Sequence, residues 1–201
     1  MPKQKPRTKR HRRRGCLFAL ILLFVLLAAL LIVFLLFRPT AERFLLEQQF
    51  PLEYEELILH YSAERDLDPF LVMGLIRAES SFRSQVVSPV GARGLMQIMP
   101  ATGEWLAEQM GYSFEEEDLF NPAYNVRMGT YYLNHLIGLF EDVDTALAAY
   151  NAGTGNVQNW LADERFSDDG RTLHTIPFPE TREYVERVNR YMETYKELYA
   201  E

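Results

Sequence analysis

Cys16 to Phe37 runs for 22 residues without a charge (CLFALILLFVLLAALLIVFLLF). Such a segment has no polar face to turn toward water, which restricts it to a membrane-spanning helix or the interior of a large core. As a helix rising about 1.5 Å per residue it extends about 33 Å, enough for a hydrocarbon layer of about 30 Å. The flanks set its orientation. Residues 1–14 carry Lys3, Lys5, Arg7, Lys9, Arg10, Arg12, Arg13 and Arg14 and no acid. A cleaved signal peptide is the competing reading, but its apolar region spans about 7 to 15 residues and ends at a small-x-small site. Phe37-Arg38-Pro39 offers no such site. The sequence therefore predicts a basic cytoplasmic tail (1–15), a transmembrane signal anchor (16–37), a juxtamembrane connector (38–50) and an outer domain (51–201). The positive-inside rule retains the tail in the cytoplasm and exports the rest of a single-pass chain.

The charge balance reverses beyond the span. Of 21 Lys and Arg, eight lie in the tail and one is Arg38, leaving 12 against all 28 Asp and Glu. The outer part thus carries a formal charge of −16, which the whole-chain value of −7 conceals. A body so acidic argues against nucleic acid as a partner. Cys16 is the single cysteine, so no internal disulfide can form. It precedes the apolar run, which disfavours a lipoprotein attachment site and leaves palmitoylation or an idle thiol.

About 150 residues remain for one core. Asp68-Pro69 and Asn121-Pro122 each read as a helix N-cap followed by the first helical residue. The first opens PFLVMGLIRAE. The second opens a helix with a stripe of Val126, Tyr131 or Tyr132, Leu133, Leu136, Ile137 and Phe140. Gly111 is placed to end a helix through Trp105, Leu106 and Met110. DTALAAYNAG and GNVQNWLA read as two short helices, and a long one runs from about Glu180 to Tyr199 with Tyr184, Val185, Val188, Tyr191, Met192 and Tyr195 inward. No alternating strand pattern competes, so the expected fold is all-α.

Several residues invite chemistry. Glu79 follows Ile76, Leu75 and Val72 at three, four and seven positions, which puts a carboxylate on an apolar helix face. Burial and the negative end of the helix dipole both raise its pKa, as a proton donor to a leaving oxygen requires. The alternative is a rim position with Arg77 or Arg83 as partner. GARGLMQIMP (91–100) suggests a tight glycine passage into a short helical turn, with the Gln97 amide offering donor and acceptor to a sugar. In AYNAG, Asn151 is a ligand contact or a plain helix C-cap. Tyr184 is a site residue or an ordinary core aromatic. Trp105 and Trp160 read more readily as core packing than as sugar platforms. The four histidines are scattered without paired-ligand spacing, so no metal and no cofactor are expected.

Taken in order, Glu79-Ser80, Gly94-Leu95-Met96-Gln97, Ala149-Tyr150-Asn151 and the late Tyr184 resemble the four motifs of the soluble-lytic-transglycosylase (SLT) family. The likeness covers roughly residues 55 to 195. It implies a lysozyme-like helical domain of the goose-type/SLT kind. It also implies cleavage of the bond between N-acetylmuramic acid and N-acetylglucosamine in peptidoglycan glycan strands, with closure to a 1,6-anhydro product. By the same resemblance Glu79 is the catalytic acid and base. Ser80, Gln97 and Asn151 orient the acetamido and neighbouring groups, Tyr184 orients Glu79, and Met96 and Tyr150 line the groove. Arg77, Arg83, Arg93 and Arg127 are candidates to offset the acidic body near an anionic wall. A lysozyme-type hydrolase and a catalytically idle wall-binding module remain as alternatives.

Overall fold

The computed structural model describes the backbone of residues 9–200, and side chains from position 18 onward except at position 39. The first eight residues of the basic tail and the side chain of Cys16 lie outside the described residues. The chain divides into two units, one ending at Gln49 and one beginning at Phe50. The first is a single helix, α1 (Lys9–Gln49), within which Phe18–Gln49 is long and apolar enough to cross a membrane. Its large apolar side chains from Phe18 to Phe37 are exposed within this chain, as a lipid-facing segment requires. The connector segment is the continuation of that helix, laced on its exposed face by the pairs Arg38–Glu42 at 2.7 Å and Arg43–Glu47 at 2.9 Å.

The second unit comprises α2 (Glu55–Ala63), α3 (Pro69–Glu79), α4 (Pro100–Met110), a 3-10 turn (Glu116–Phe120), α5 (Pro122–Phe140), α6 (Val143–Ala152), α7 (Thr154–Leu161) and α8 (Pro179–Tyr199). Strands are absent among the described residues, where only the isolated bridges Val87–Arg93 and Arg93–Ile98 occur. The fold is all-α, as the patterning predicts. The caps fall where the sequence puts them. Asp68 accepts from the Phe70 amide, Asn121 accepts from the amides of Ala123 and Tyr124, and Gly111 closes α4 in the left-handed region at φ 73°.

Helix α3 is the centre of the domain because almost every face of it is apolar: Leu71, Val72, Met73, Leu75 and Ile76 are all buried. Its main partner is α8, which buries Tyr184, Val185, Val188, Tyr195 and Leu198 on one face and keeps its charges outside. Gly74 sets their separation. A Cβ there would sit 2.8 Å from both the Met192 nitrogen and the Val188 carbonyl oxygen, so only a residue without a side chain allows the helices this close. The start of the domain is tied to the end of α8. Phe50 packs edge-on against Tyr191 and Tyr195, the Tyr199 hydroxyl donates to the Phe50 carbonyl at 2.7 Å, and the Tyr195 hydroxyl reaches the Pro51 carbonyl at 3.4 Å. Because the core is drawn entirely from Phe50 onward, this unit can fold by itself.

Candidate active site

Glu79 is the last residue of α3 and Ser80 its C-cap. The chain then turns sharply, with Ser81 and Phe82 both in the left-handed region at φ 51° and 61°. Two adjacent non-glycine residues in that region store strain, held here by the buried Phe82 ring. Gln97 is strained in the same way at φ 48°.

The pairing of α3 with α8 brings Tyr184 to Glu79, and its hydroxyl donates to Glu79 Oε1 at 2.6 Å. Burial pushes the Glu79 carboxyl from its ordinary 4.5 up to about 7, against the opposing pull of the Tyr184 hydrogen bond and the Arg187 guanidinium. Tyr184 is only 2% exposed, and burial together with the neighbouring carboxylate drives its own pKa far up, so it stays a neutral donor. The rim alternative does not describe Glu79, because the arginines proposed for it are engaged elsewhere. Arg77 lies over the Phe50 ring and Arg83 donates to the Ser80 carbonyl. Arg93 pairs with Glu116 and Arg127 lies over Tyr112, so the cation acting on Glu79 is Arg187, which the sequence did not single out.

The glycine passage is a looped segment, not the helical turn expected before α4. Gly94 adopts φ 78°, and a Cβ on it would collide with the Leu119 carbonyl and the Asn125 amide. Asn125, fully buried on α5, is the hub of this loop. It accepts from the Met96 amide at 2.7 Å and donates to the carbonyls of Leu119 and Arg93 at 2.8 and 3.0 Å. Gln97 spends its amide nitrogen on the carbonyls of Gly94 and Val86, at 2.8 and 3.2 Å, which leaves its oxygen as an acceptor for the groove it lines.

Tyr150 donates to the Met96 carbonyl at 2.8 Å, linking α6 to the loop. Asn151 is exposed, and its Oδ1 accepts from the Thr181 hydroxyl of α8 at 2.9 Å, so its amide nitrogen remains to donate to a ligand. Gln97, Tyr150 and Asn151 share the lining of one cavity of about 280 Å³, with Tyr132 and Thr102 on the same wall. Two expected groove residues are placed differently. Met96 is 0% exposed and packs inward against Gly129, and Ser80 is buried with its hydroxyl donating to the Ile76 carbonyl at 3.2 Å. The Met96 carbonyl accepts from Tyr150, and Ser80 caps the end of α3.

Asn125, Thr181 and Arg187 escaped the sequence reading, and Tyr132 entered it only as one of two tyrosines on the apolar stripe of its helix. The spacing of three along α8 from Thr181 through Tyr184 to Arg187 is the signal that places these side chains on one face. Among the described residues no three His, Cys, Asp or Glu side chains gather as a metal-ligand set.

The family model "Transglycosylase SLT domain" matches residues 56–172. A soluble lytic murein transglycosylase from Escherichia coli (strain K12) is 38% identical over 156 residues, covering 75% of this chain and 24% of the relative. A membrane-bound lytic murein transglycosylase C from Glaesserella parasuis is 27% identical over 168 residues, covering 72% of this chain and 46% of that one. Among solved structures, an inactive mutant of lytic transglycosylase Slt from Pseudomonas aeruginosa superposes with a TM-score of 0.68 at 35% identity, over 76% of this chain and 25% of its own. The chain therefore spans about a quarter of the length of the first of these relatives and under half of the second.

Proposed function

Since the chain belongs to the transglycosylase SLT domain family, we propose that it is a membrane-anchored peptidoglycan lytic transglycosylase with Glu79 as its single acid and base. The observation that carries this reading is the Glu79 carboxyl, raised to about 7 by burial and held by the Tyr184 hydroxyl. At neutral pH a large share of it is protonated and ready to donate.

Protonated Glu79 gives its proton to the oxygen linking N-acetylmuramic acid to N-acetylglucosamine, and the bond from that oxygen to C1 breaks. The resulting carboxylate takes the proton of the muramyl C6 hydroxyl, whose oxygen closes on C1. Glu79 is thereby restored and no water is consumed. Hydrolases that use two carboxylates keep them about 5 to 9.5 Å apart. The side chains that shift Glu79 are a phenol and a guanidinium, and the likeness to lytic transglycosylases is the support for a reaction without a second carboxylate. That likeness favours closure by the sugar's own hydroxyl over hydrolysis. Asn151 as a donor and Gln97 as an acceptor suit the two ends of an acetamido group, and Tyr150 lines the same hollow. Ser80 and Met96 serve this arrangement indirectly.

Helix α1 is read as the anchor, with the basic tail cytoplasmic and the unit from Phe50 outside. The test is mass spectrometry of purified wall digested with residues 39–201. Anhydro ends support the lyase, reducing ends one water heavier support the hydrolase, and no soluble product supports the idle module. Glu79→Gln is expected to lower the rate by at least about a hundredfold.

A further inference from the structure

Tyr184 and Arg187 stand three residues apart on α8, which puts both on one side of that helix. The guanidinium carbon of Arg187 lies over the Tyr184 ring, 5.8 Å from its centre, and the hydroxyl of the same ring donates to Glu79 at 2.6 Å. A cation, a phenol and a carboxylate thus follow one another from half-buried Arg187 to the end of α3. Arg187 favours the charged form of both of its neighbours in this series.

The charge of Arg187 is not spent on another partner. Among the described residues no carboxylate lies within ion-pair distance of it. On its own helix, Glu183 is exposed, Glu186 reaches Arg190 at 3.8 Å, and Lys196 at the far end pairs with Asp68 at 3.0 Å. The ionisable groups on the helices packed against α8 are engaged elsewhere. On α3, Arg77 lies over the Phe50 ring. On α6, Asp144 accepts from Asn189 at 2.7 Å and Asp142 from the Thr145 amide at 2.8 Å. Tyr150, also on α6, feels the Glu79 charge but is kept neutral by burial.

We propose that Arg187 is a positioning residue for the reaction at Glu79: acting in part through the Tyr184 ring, it supports the carboxylate that forms when the proton leaves for the glycosidic oxygen. The inference rests on the reading of Glu79 as the general acid. As the proton departs, the bond from that oxygen to C1 breaks, the oxygen keeps the proton as a hydroxyl, and a full negative charge stays on Glu79. A cation already in place needs no reorganisation when that charge appears, so it lowers the barrier to cleavage and leaves strand binding alone. The guanidinium also draws on the π electrons of the phenol beneath it, which strengthens the hydroxyl as a donor to the same carboxylate.

The test uses the full chain in detergent micelles, with its glutamate carboxyls isotopically labelled and titrated by NMR, so that no turnover is needed. The Glu79 signal is the one that Glu79→Gln removes. Its midpoint is expected at about 7 in the parent. Arg187→Met keeps the length and loses the charge, and is expected to raise that midpoint by about half a pH unit or more, with Arg187→Lys recovering most of the shift. In a Tyr184→Phe background the same substitution is expected to give a smaller shift, because the ring no longer carries the hydroxyl. On solubilised glycan strands at about pH 5, where Glu79 is protonated in every variant, Arg187→Met is expected to lower kcat about twofold or more with KM unchanged. An unmoved midpoint in Arg187→Met, a shift of equal size with and without the Tyr184 hydroxyl, or a loss of kcat that Arg187→Lys does not restore overturns the proposal. Reducing ends in place of anhydro ends refute the lyase reading and leave the role of Arg187 standing, since both reactions begin with the same proton.

Discussion

Replacing Glu79 by Gln is expected to stabilise the fold at neutral and alkaline pH even as it removes activity. Glu79 rises from its ordinary 4.5 to about 7 because burial strips water from the carboxylate. A carboxyl with a higher pKa folded than unfolded binds more protons in the native state. Stability therefore falls as pH climbs from about 4.5 and levels off above about 7. At about 1.4 kcal/mol per pKa unit, the full penalty above pH 7 is about 3 kcal/mol. Glutamine has nearly the same shape, keeps an oxygen for the Tyr184 hydroxyl and carries no charge, so the penalty disappears. The 2.6 Å hydrogen bond from Tyr184 pulls the Glu79 pKa down and is already contained in the value of about 7. The gain expected near pH 8 is therefore about 3 kcal/mol, shrinking to near zero at about pH 4, where Glu79 is largely protonated in both states. Urea unfolding of residues 39–201 followed by circular dichroism across this pH range measures it directly. A difference between mutant and wild type that does not change with pH, or one that grows toward acid, refutes the burial argument.

Tyr184→Phe removes the hydrogen bond that holds the Glu79 pKa down, so the alkaline limb of the activity profile is expected to move upward from about 7 by about one pH unit or more. A limb that stays or moves toward acid contradicts that role. Gly74→Ala places a methyl 2.8 Å from α8 backbone atoms. The expected cost is about 1–3 kcal/mol in unfolding, with a fall in kcat as Tyr184 and Glu79 separate. Thr181→Val takes the donor from Asn151 Oδ1 and frees the amide to rotate; KM is expected to rise severalfold with the Glu79 limb unmoved, and Thr181→Ser to restore it.

What was legible followed from one-residue chemistry. Asp68-Pro69, Asn121-Pro122 and Gly111 marked helix ends because a capping oxygen, a missing amide hydrogen or a left-handed turn acts locally, whatever the tertiary context. Glu79 was readable only as an open choice, since apolar neighbours within two turns of the same helix allow a sheltered carboxylate and equally a rim carboxylate beside Arg77 or Arg83. Helix α2 was not read, because its N-cap, Tyr54, is in a left-handed conformation and offers no capping side chain. Asn125 was not read either. Its importance comes from a loop 29 residues earlier in the chain, whose Met96 amide it receives. Met96 was expected to line the groove and Ser80 to orient an acetamido group, yet both side chains are buried, because a short motif does not say which of its side chains point outward. Trp105 went the other way: residue type alone favours burial for tryptophan, yet its indole is 36% exposed, with an edge contact to His135 of α5.

The two phenols that fasten Phe50 and Pro51 to the last helix close the domain into a ring without a covalent link. Unravelling from the Phe50 end must first break both bonds to the helix that carries Tyr184, and trimming the C-terminus past Tyr195 releases Phe50 and Pro51 at the start of the domain. Both routes lead to Glu79 by way of the same latch.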